Sequence, residues 1–211
     1  MTELDKFLNI FAGSFSAYGQ TRKTEEFDDR GKHKTKSFII KKTPSTQMFQ
    51  EHLDGKDPAL GIIPINEQNK CQWACIDIDL YNGFDHKELI RKIKEYKFPL
   101  LVCRSKSGGA HVFLFTDNFV PAALIRSKLK DMAAKLGYAN AEIFPKQNKV
   151  DMNKGGTGSF LNLPYHNALL SLRYGVKDDG SAMDLIYFFE AHSKVKLTED
   201  QLSKLSIQEE K

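Results

Sequence analysis

The alternation of apolar and polar positions is clearest in the middle of the chain. Ala74 to Leu80 is an apolar run of β type that contains only two charged residues, Asp77 and Asp79. Because successive side chains of a strand point to opposite faces, both carboxylates are expected on one face, with Ile76 and Ile78 on the other. The run therefore predicts a strand with one apolar face and one face that carries a pair of acids.

The segments after this strand carry their own start and stop signals, such as Asp85 with Glu88 before one helix and Pro121 at the start of another. The expected elements are a helix from Asp85 to Lys97, strands at Leu100–Arg104 and His111–Phe115, a helix from Pro121 to Gly137, and a strand at Ala141–Phe144. The order β-α-β-β-α-β is the split βαβ arrangement, in which two helices cover one face of an antiparallel sheet. The first and third strands are then neighbours, so Asp77 and His111 should approach each other on a face left free for ligands.

The remaining segments predict a smaller αβ unit before this core and two helices after it. A helix is expected from Thr2, another from about Ser45 to Leu53, and a strand near Leu60–Ile65. The charged segment Gly19–Lys42 fits either an exposed β-hairpin or a mobile loop. Ser181 and Thr198 are expected to cap the last helices. We expect one domain, with an N-terminal αβ subdomain at about 1–70, the core at about 71–150, and a pocket loop with C-terminal helices at about 151–211.

The composition excludes only a few classes of protein. The chain has 211 residues, with 31 basic and 27 acidic ones and a formal net charge of +4, which suits a polyanionic partner as well as an ordinary soluble protein. It shows no apolar run of about 18 residues and no secretory signal at its start, so we expect a cytoplasmic protein without a membrane partner. Cys71, Cys75 and Cys103 lack further donors at zinc-ligand spacing, so buried reduced thiols are expected and no zinc.

Glu142 is a third acid inside an apolar strand, in Ala141-Glu142-Ile143-Phe144-Pro145-Lys146. With Asp77 and Asp79 it would complete a carboxylate cluster for divalent cations, which prefer oxygen ligands. Acids that simply face water from a strand end or an edge strand remain the alternative. The hairpin Arg104-Ser-Lys-Ser-Gly-Gly-Ala-His111 combines small residues, basic groups and a histidine, so it either binds phosphate or only turns the chain.

These motifs together resemble the archaeo-eukaryotic primase superfamily, particularly the primase-polymerase (PrimPol) domains of phages and mobile elements. The motifs are Asp77-x-Asp79, Ser-x-Ser-Gly-Gly-x-His111, Glu142 before Phe-Pro-Lys, Asn162-Leu-Pro-Tyr165 and Arg173-Tyr174, and the resemblance covers about His52 to Glu190. It implies an α+β fold in which an RRM-like antiparallel sheet forms the catalytic core beside a smaller N-terminal αβ subdomain. The active site would lie in the cleft between them.

The resemblance also implies roles for individual residues. Asp77, Asp79 and Glu142 would bind two Mg²⁺ or Mn²⁺ ions, and Ser107 and His111 would contact the incoming triphosphate. The other candidates are charged or pocket-forming residues: Lys106 and Lys146 for the phosphates, Asn162 and Tyr165 for the nucleotide pocket, Arg104 and Arg173 for nucleic-acid phosphates, and Lys32 to Lys42 for a second nucleic-acid contact. For the basic residues a solvated surface charge, and for Asn162 and Tyr165 a packing role, remain open.

The expected function is a DNA primase-polymerase that makes and extends primers on single-stranded DNA from nucleoside triphosphates, in the cytosol of a bacterium or of a phage-infected host. Any helicase would be a separate protein or a further region, because the sequence lacks Gly-x-x-x-x-Gly-Lys-Ser/Thr. A metal-dependent nuclease is one alternative, since acids and a histidine near phosphate also suit hydrolysis. A non-catalytic RRM-like nucleic-acid-binding module is the other, although such modules usually expose aromatic residues rather than acids on the sheet.

Overall fold

The structure is a computed structural model that describes residues 1–27, 31, 33–80 and 83–207. The helices are α1 (Glu3–Ile10), α2 (Thr46–Leu53), α3 (His86–Glu95), α4 (Ala122–Lys135), α5 (Leu185–Val195) and α6 (Glu199–Lys204), with a 3-10 turn at Met152–Lys154. The strands are β1 (Tyr18–Phe27), β2 (His33–Ile40), β3 (Ala59–Ile62), β4 (Lys70–Ile78), β5 (Leu100–Arg104), β6 (Ala110–Pro121), β7 (Glu142–Phe144) and β8 (Leu161–Asn162). No described helix is long and apolar enough to cross a membrane.

The strands form two antiparallel sheets, which confirms the α+β fold class. The second sheet has the order β5-β6-β4-β7, and its strands are connected through α3 and α4 in the split βαβ arrangement that the sequence predicts. Strands β4 and β6 are central neighbours, and Asp77 lies directly opposite His111. The fold therefore brings together two residues that are far apart in the sequence.

Side-chain caps fix most helix starts where the sequence predicts them. The Asp85 Oδ1 atom accepts a hydrogen bond from the backbone N–H of Glu88 (3.0 Å) at the start of α3. Thr2 and Thr198 form capping boxes at α1 and α6. The prediction for α5 was wrong in detail: Asp184 caps it, whereas the Ser181 hydroxyl donates to Asp179 (2.6 Å) in the preceding turn.

Two hydrophobic clusters lie on the two faces of the second sheet. On one face, Ile76, Ile78 and Val112 pack in an aliphatic cluster with residues of α3 and α4. The opposite face was expected to be free for ligands, and this expectation was wrong over most of its length. There the fully buried Trp73 and Phe113 contact Phe11, which follows α1. Aromatic residues from α1 and α5 therefore cover most of this face, and the end that carries Asp77 and His111 borders a cavity.

The first sheet has the order β2-β1-β3-β8 and combines three N-terminal strands with one that follows the second sheet in the sequence. Its β1–β2 hairpin confirms one of the two alternatives for the charged segment, while the turn residues 28–30 and Lys32 lie outside the described residues. The edge strand β8 comes from the late segment around Asn162 and pairs with β3. Buried His52 strengthens this junction, because its ring lies 2.8 Å from the backbone oxygen of Pro164 and accepts from the N–H of Leu60 (3.1 Å).

The three cysteines are buried free thiols, as expected. Burial raises the pKa of Cys75 and Cys103 well above the usual range of a thiol, with a further rise for Cys75 from nearby Asp77. They are therefore uncharged packing residues beneath the site rather than reactive groups.

Candidate active site

Three polar side chains form a row across neighbouring strands at the open end of the second sheet. Asp77 on β4 lies opposite His111 on β6 and opposite Glu142 on β7. The Asp77 Oδ1 atom is 3.3 Å from the His111 Nε2 atom, and the two side chains are only 16% and 11% exposed. Strand alternation places all three on the face opposite the aliphatic cluster. The row is therefore a largely buried carboxylate–histidine pair with a second, exposed carboxylate beside it.

One side of the row borders a cavity of about 380 Å³ that contains all three predicted acids, Asp77, Asp79 and Glu142, in its lining. Asp79 follows the last residue of β4 and is exposed to solvent. Ile78, Leu80 and the segment 137–141, which connects α4 to β7, form the rest of the wall. Acids that are separated by up to 65 positions therefore share one solvent-accessible space.

The carboxylate oxygens are the right donor type for Mg²⁺ or Mn²⁺. Among residues 1–27, 31, 33–80 and 83–207, however, no group of three His, Cys, Asp or Glu side chains is close enough to hold an ion as arranged. Glu142 instead pairs with Lys146, whose Nζ atom is 2.8 Å from Glu142 Oε2. Both side chains are about half exposed, so this ion pair is weak and can open at little cost. The donor set fits divalent cations, and the metal assignment stays a prediction.

A second cavity of about 420 Å³ lies on the other side of Asp77, between the two sheets. Asp77, His111 and Lys146 line it from the second sheet, and Asn162 on β8 lines it from the first. Its wall also includes Ser37 and Ile39, from the predicted second nucleic-acid contact, and Ser159 and Phe160, which had no sequence-based role. The structure thus brings the predicted residues Asp77, His111, Lys146 and Asn162 into one cleft between the two subdomains.

Phe160 is seated on two glycines of the first sheet. A side chain at Gly19 or at Gly61 would overlap its ring, so these positions leave room for the aromatic group. The ring therefore forms a fixed apolar part of the cavity wall. Gly61 within the apolar run of β3 was the one sequence signal for this contact, since glycine in a strand often marks the close approach of another group.

The β5–β6 hairpin packs against the end of β4. Gly109 lies against the backbone oxygen of Ile78, where a Cβ atom would not fit, and the His86 Nε2 atom is 3.0 Å from the backbone oxygen of Gly109. Ser107 and Lys106 are exposed at the tip. Ser105 was not a sequence candidate, yet it is 7% exposed and its Oγ atom has no hydrogen-bond partner within the described part of the chain. Its alternation with Cys103 places it on the same face as His111.

Tyr165, a candidate for the nucleotide pocket or for packing, and Arg173, a candidate for a nucleic-acid phosphate contact, are both buried. Tyr165 is 1% exposed, its hydroxyl donates to the backbone oxygen of Met183 (3.1 Å), and it accepts from the N–H of Gly175 (3.0 Å). Burial raises the pKa of this phenol. Arg173 is 9% exposed, and burial lowers the pKa of its guanidinium group. Both side chains therefore belong to the packing of residues 163–183, which agrees with the packing alternative for Tyr165.

Arg104, the other predicted nucleic-acid contact, is partly buried beside the same segment. Its Nη1 atom donates to the backbone oxygens of Leu172 (2.9 Å) and Ser105 (3.2 Å). These bonds hold the loop 169–172 against the hairpin. These bonds give Arg104 a structural role, and its contact with nucleic acid stays a prediction.

The comparisons with known proteins agree with this geometry. A family model described as "TOTE conflict system, Archaeo-Eukaryotic Primase domain" matches residues 9–184, well over half of the chain. The matched range includes both sheets and every residue of the two cavities. A search of curated proteins found no match.

Proposed function

Because the chain belongs to the archaeo-eukaryotic primase domain family, we propose that it is a DNA primase-polymerase, which transfers nucleotides from triphosphates to a 3′-hydroxyl on a single-stranded template. The observation that carries the proposal is the row Glu142, Asp77 and His111 between two cavities. A cleft with acids on one side and basic and amide groups on the other suits a triphosphate together with its cations. The family description names a conflict system, so we propose DNA synthesis without assigning it to genome replication.

In this proposal Asp77, Asp79 and Glu142 would hold the divalent cations. Such ions, when bound, lower the pKa of an attacking hydroxyl and neutralise charge on the triphosphate and its leaving group. The protein itself supplies three carboxylates on a rigid strand arrangement and no covalent nucleophile. Asp77, which is largely buried and close to the His111 ring, is the most fixed of the three and is expected to contribute most.

His111 and Lys146 provide the donors for phosphate oxygens. The His111 ring is positioned by Asp77 on one side and lines the cavity between the sheets. Lys146 pairs with Glu142, its Nζ atom lies 5.1 Å from the Phe144 ring centroid, and both Lys146 and Phe144 line the same cavity. Exposed Ser107 and Lys106 at the hairpin tip are proposed as further contacts to the triphosphate.

We assign the template contact to the exposed β1–β2 hairpin. Arg22 and Lys36 lie directly opposite each other on the two strands, and like charges in this position repel. A polyanion would relieve that repulsion, and Arg22 lies 5.9 Å from the centroid of the exposed Phe38 ring, a combination of cation and aromatic surface that suits single-stranded nucleic acid. Ser37 and Ile39 of the same hairpin line the cavity. Because strand residues alternate between faces, Lys36 and Phe38 lie on the face of the first sheet opposite Ser37 and Ile39, so a template bound here would reach the nucleotide around the edge strand β2.

The test is a gel assay on circular single-stranded DNA with Mg²⁺ or Mn²⁺ and with ribonucleotides, deoxyribonucleotides or both. We expect labelled products that depend on the metal and on the triphosphates, and none with Asp77→Asn protein. A labelled linear DNA in the same buffer covers the alternatives. Shortening of this DNA without triphosphates would indicate a nuclease, and binding without any product would indicate a non-catalytic module; either result would overturn the proposal.

A further inference from the structure

A short chain of hydrogen bonds connects the first sheet to the cavity between the sheets. The Thr21 Oγ1 atom on β1 donates to the Oδ1 atom of Asn162 (3.2 Å), and the same hydroxyl is 3.3 Å from the Ser37 Oγ atom on β2. Thr21 and Ser37 are direct register partners, so the two hydroxyls are held by the backbone pairing of the strands. Asn162 is likewise held, because β8 pairs with β3 at Gly61.

The direction of this chain follows from the number of protons. A hydroxyl has one proton to donate, and Thr21 uses it for the Asn162 oxygen. In its contact with Ser37, therefore, Thr21 accepts and Ser37 donates. This bond orients the Asn162 amide, since it fixes which side carries the oxygen, and the N–H₂ group makes no hydrogen bond among the described residues. Asn162 is thus a fixed donor at the wall of the cavity.

The charged and neutral donors lie on different walls of this cavity. Lys146 and His111 come from the second sheet, next to Asp77, and suit phosphate oxygens. Asn162 comes from the first sheet and follows Phe160, whose ring supplies apolar surface. A neutral amide donor beside an apolar ring suits the sugar of a nucleotide, whose hydroxyls are neutral acceptors.

We propose that Asn162 donates a hydrogen bond to the ribose 2′-hydroxyl of the bound nucleotide, and that Thr21 and Ser37 are positioning residues that orient its amide. The inference rests on the proposed function, since it assigns the sugar selectivity of that same site. A site that hydrogen-bonds a substrate hydroxyl discriminates against the analogue that lacks it. The protein should therefore bind ribonucleotides more tightly than deoxyribonucleotides.

The test is an equilibrium titration of the whole chain with GTP and with dGTP, with Mg²⁺ and without DNA so that no product forms. The measured quantity is the dissociation constant of dGTP divided by that of GTP. It is determined for the wild type and for Thr21→Val, which keeps the shape of the side chain but removes its proton donor. We expect this ratio to fall about fivefold in Thr21→Val, and also in Asn162→Leu, which removes the sugar contact itself. Ser37→Ala should cause a smaller fall.

Two control variants separate positioning from packing. Thr21→Ser keeps the hydroxyl and should restore the wild-type ratio. Thr24→Val removes a hydroxyl of the same hairpin that donates to the backbone oxygen of Lys34 (3.1 Å), outside the cavity lining, and should leave the ratio unchanged. If Thr21→Val does not fold, Asn162→Leu carries the test alone.

The outcomes also separate the inference from the proposed function. Binding of both nucleotides with equal affinity by the wild type, or an unchanged ratio in Thr21→Val and Asn162→Leu, overturns the sugar assignment while the proposed function stands. A wild type that binds neither nucleotide overturns both.

Discussion

The two faces of strand β4 differ in how far along the strand their side chains are buried. On one face, Ala74, Ile76 and Ile78 are buried along the whole strand in an aliphatic cluster beneath α3 and α4. On the other face, Trp73 and Cys75 are equally buried, but the cover ends at Asp77 and the cavities begin. A single strand therefore packs in the core along one face and, in the proposed function, carries the chemistry at the end of the other. Since adjacent residues point in opposite directions, substitutions one position apart should have separable effects.

The largest expected effect comes from Asp77→Asn, which keeps the size of the side chain but removes its charge. We expect nucleotide incorporation to fall at least about a thousandfold, because the most fixed of the three proposed metal-binding carboxylates is lost. The unfolding midpoint should change little, since the row lies at an open end of the sheet. Primer-extension rates and thermal unfolding are measured together. Substantial incorporation by Asp77→Asn would contradict the assignment of this face to chemistry.

The adjacent substitution Ile76→Ala should give the opposite result. Ile76 is fully buried in the aliphatic cluster, so its truncation should cost about 3 kcal/mol of unfolding free energy. Denaturant titration measures this loss, with Ile76→Val as the milder control at about 1 kcal/mol. At a temperature where the variant is folded, incorporation per folded molecule should stay within about threefold of the wild type, in keeping with independent faces. A loss of activity as large as that of Asp77→Asn would show that the two faces are coupled.

His111→Ala tests whether the end of the aromatic face contacts the nucleotide rather than the template. We expect nucleotide affinity to fall about thirtyfold through loss of a charge-assisted contact, with DNA affinity changed by less than about twofold. Separate titrations with a nucleotide and with single-stranded DNA measure the two effects, and His111→Gln serves as the polar control. Equal weakening of both affinities would argue against this division of roles.

The smallest effect concerns His192, which lies on the covered part of the aromatic face. Burial, and to a lesser extent the charge of Lys196, lowers the pKa of this imidazole to about 4, and its ring packs 4.8 Å from Phe115. Because the unfolded chain binds this proton near pH 6.5 and the folded chain does not, stability present above that pH is lost as the pH falls towards 4. In His192→Phe the loss between pH 7 and pH 5 should shrink by about 2 kcal/mol.

Denaturant titrations at the two pH values measure this difference. Buried His52 has its pKa lowered to about 3 by burial, so some acid sensitivity should remain in His192→Phe. An unchanged pH dependence in the variant would show that His192 is not held neutral by the fold.

The sequence predicts the second sheet well because its signals are local. Strict alternation in Ala74–Leu80, the cap at Asp85 and the glycines at 108–109 each determine the conformation of a few neighbouring residues. The split βαβ order then fixes which strands are neighbours, so the contact between Asp77 and His111 follows from topology. The metal-binding roles of Asp77, Asp79 and Glu142 remain predictions.

The missed features depend on contacts between distant segments. The cover of the aromatic face comes from Phe11 and Phe188, whose rings stack 6.0 Å apart although they belong to opposite ends of the sequence. The burial of Arg173 was missed, and that of Tyr165 was left open, because a polar residue in a loop resembles a ligand contact until the packing around it is known. The partner of Asn162, Thr21, is 141 positions away, which no local pattern indicates.

Strand β8 and the bonds of His52 to Pro164 show that the first sheet is completed by residues that follow the second. A protein engineer could not exchange residues 1–70 with those of a related enzyme as a self-contained module. The transplanted piece would lack its edge strand and one wall of the cleft. In a chimaera of this fold, residues 160–168 would have to be exchanged together with the N-terminal part.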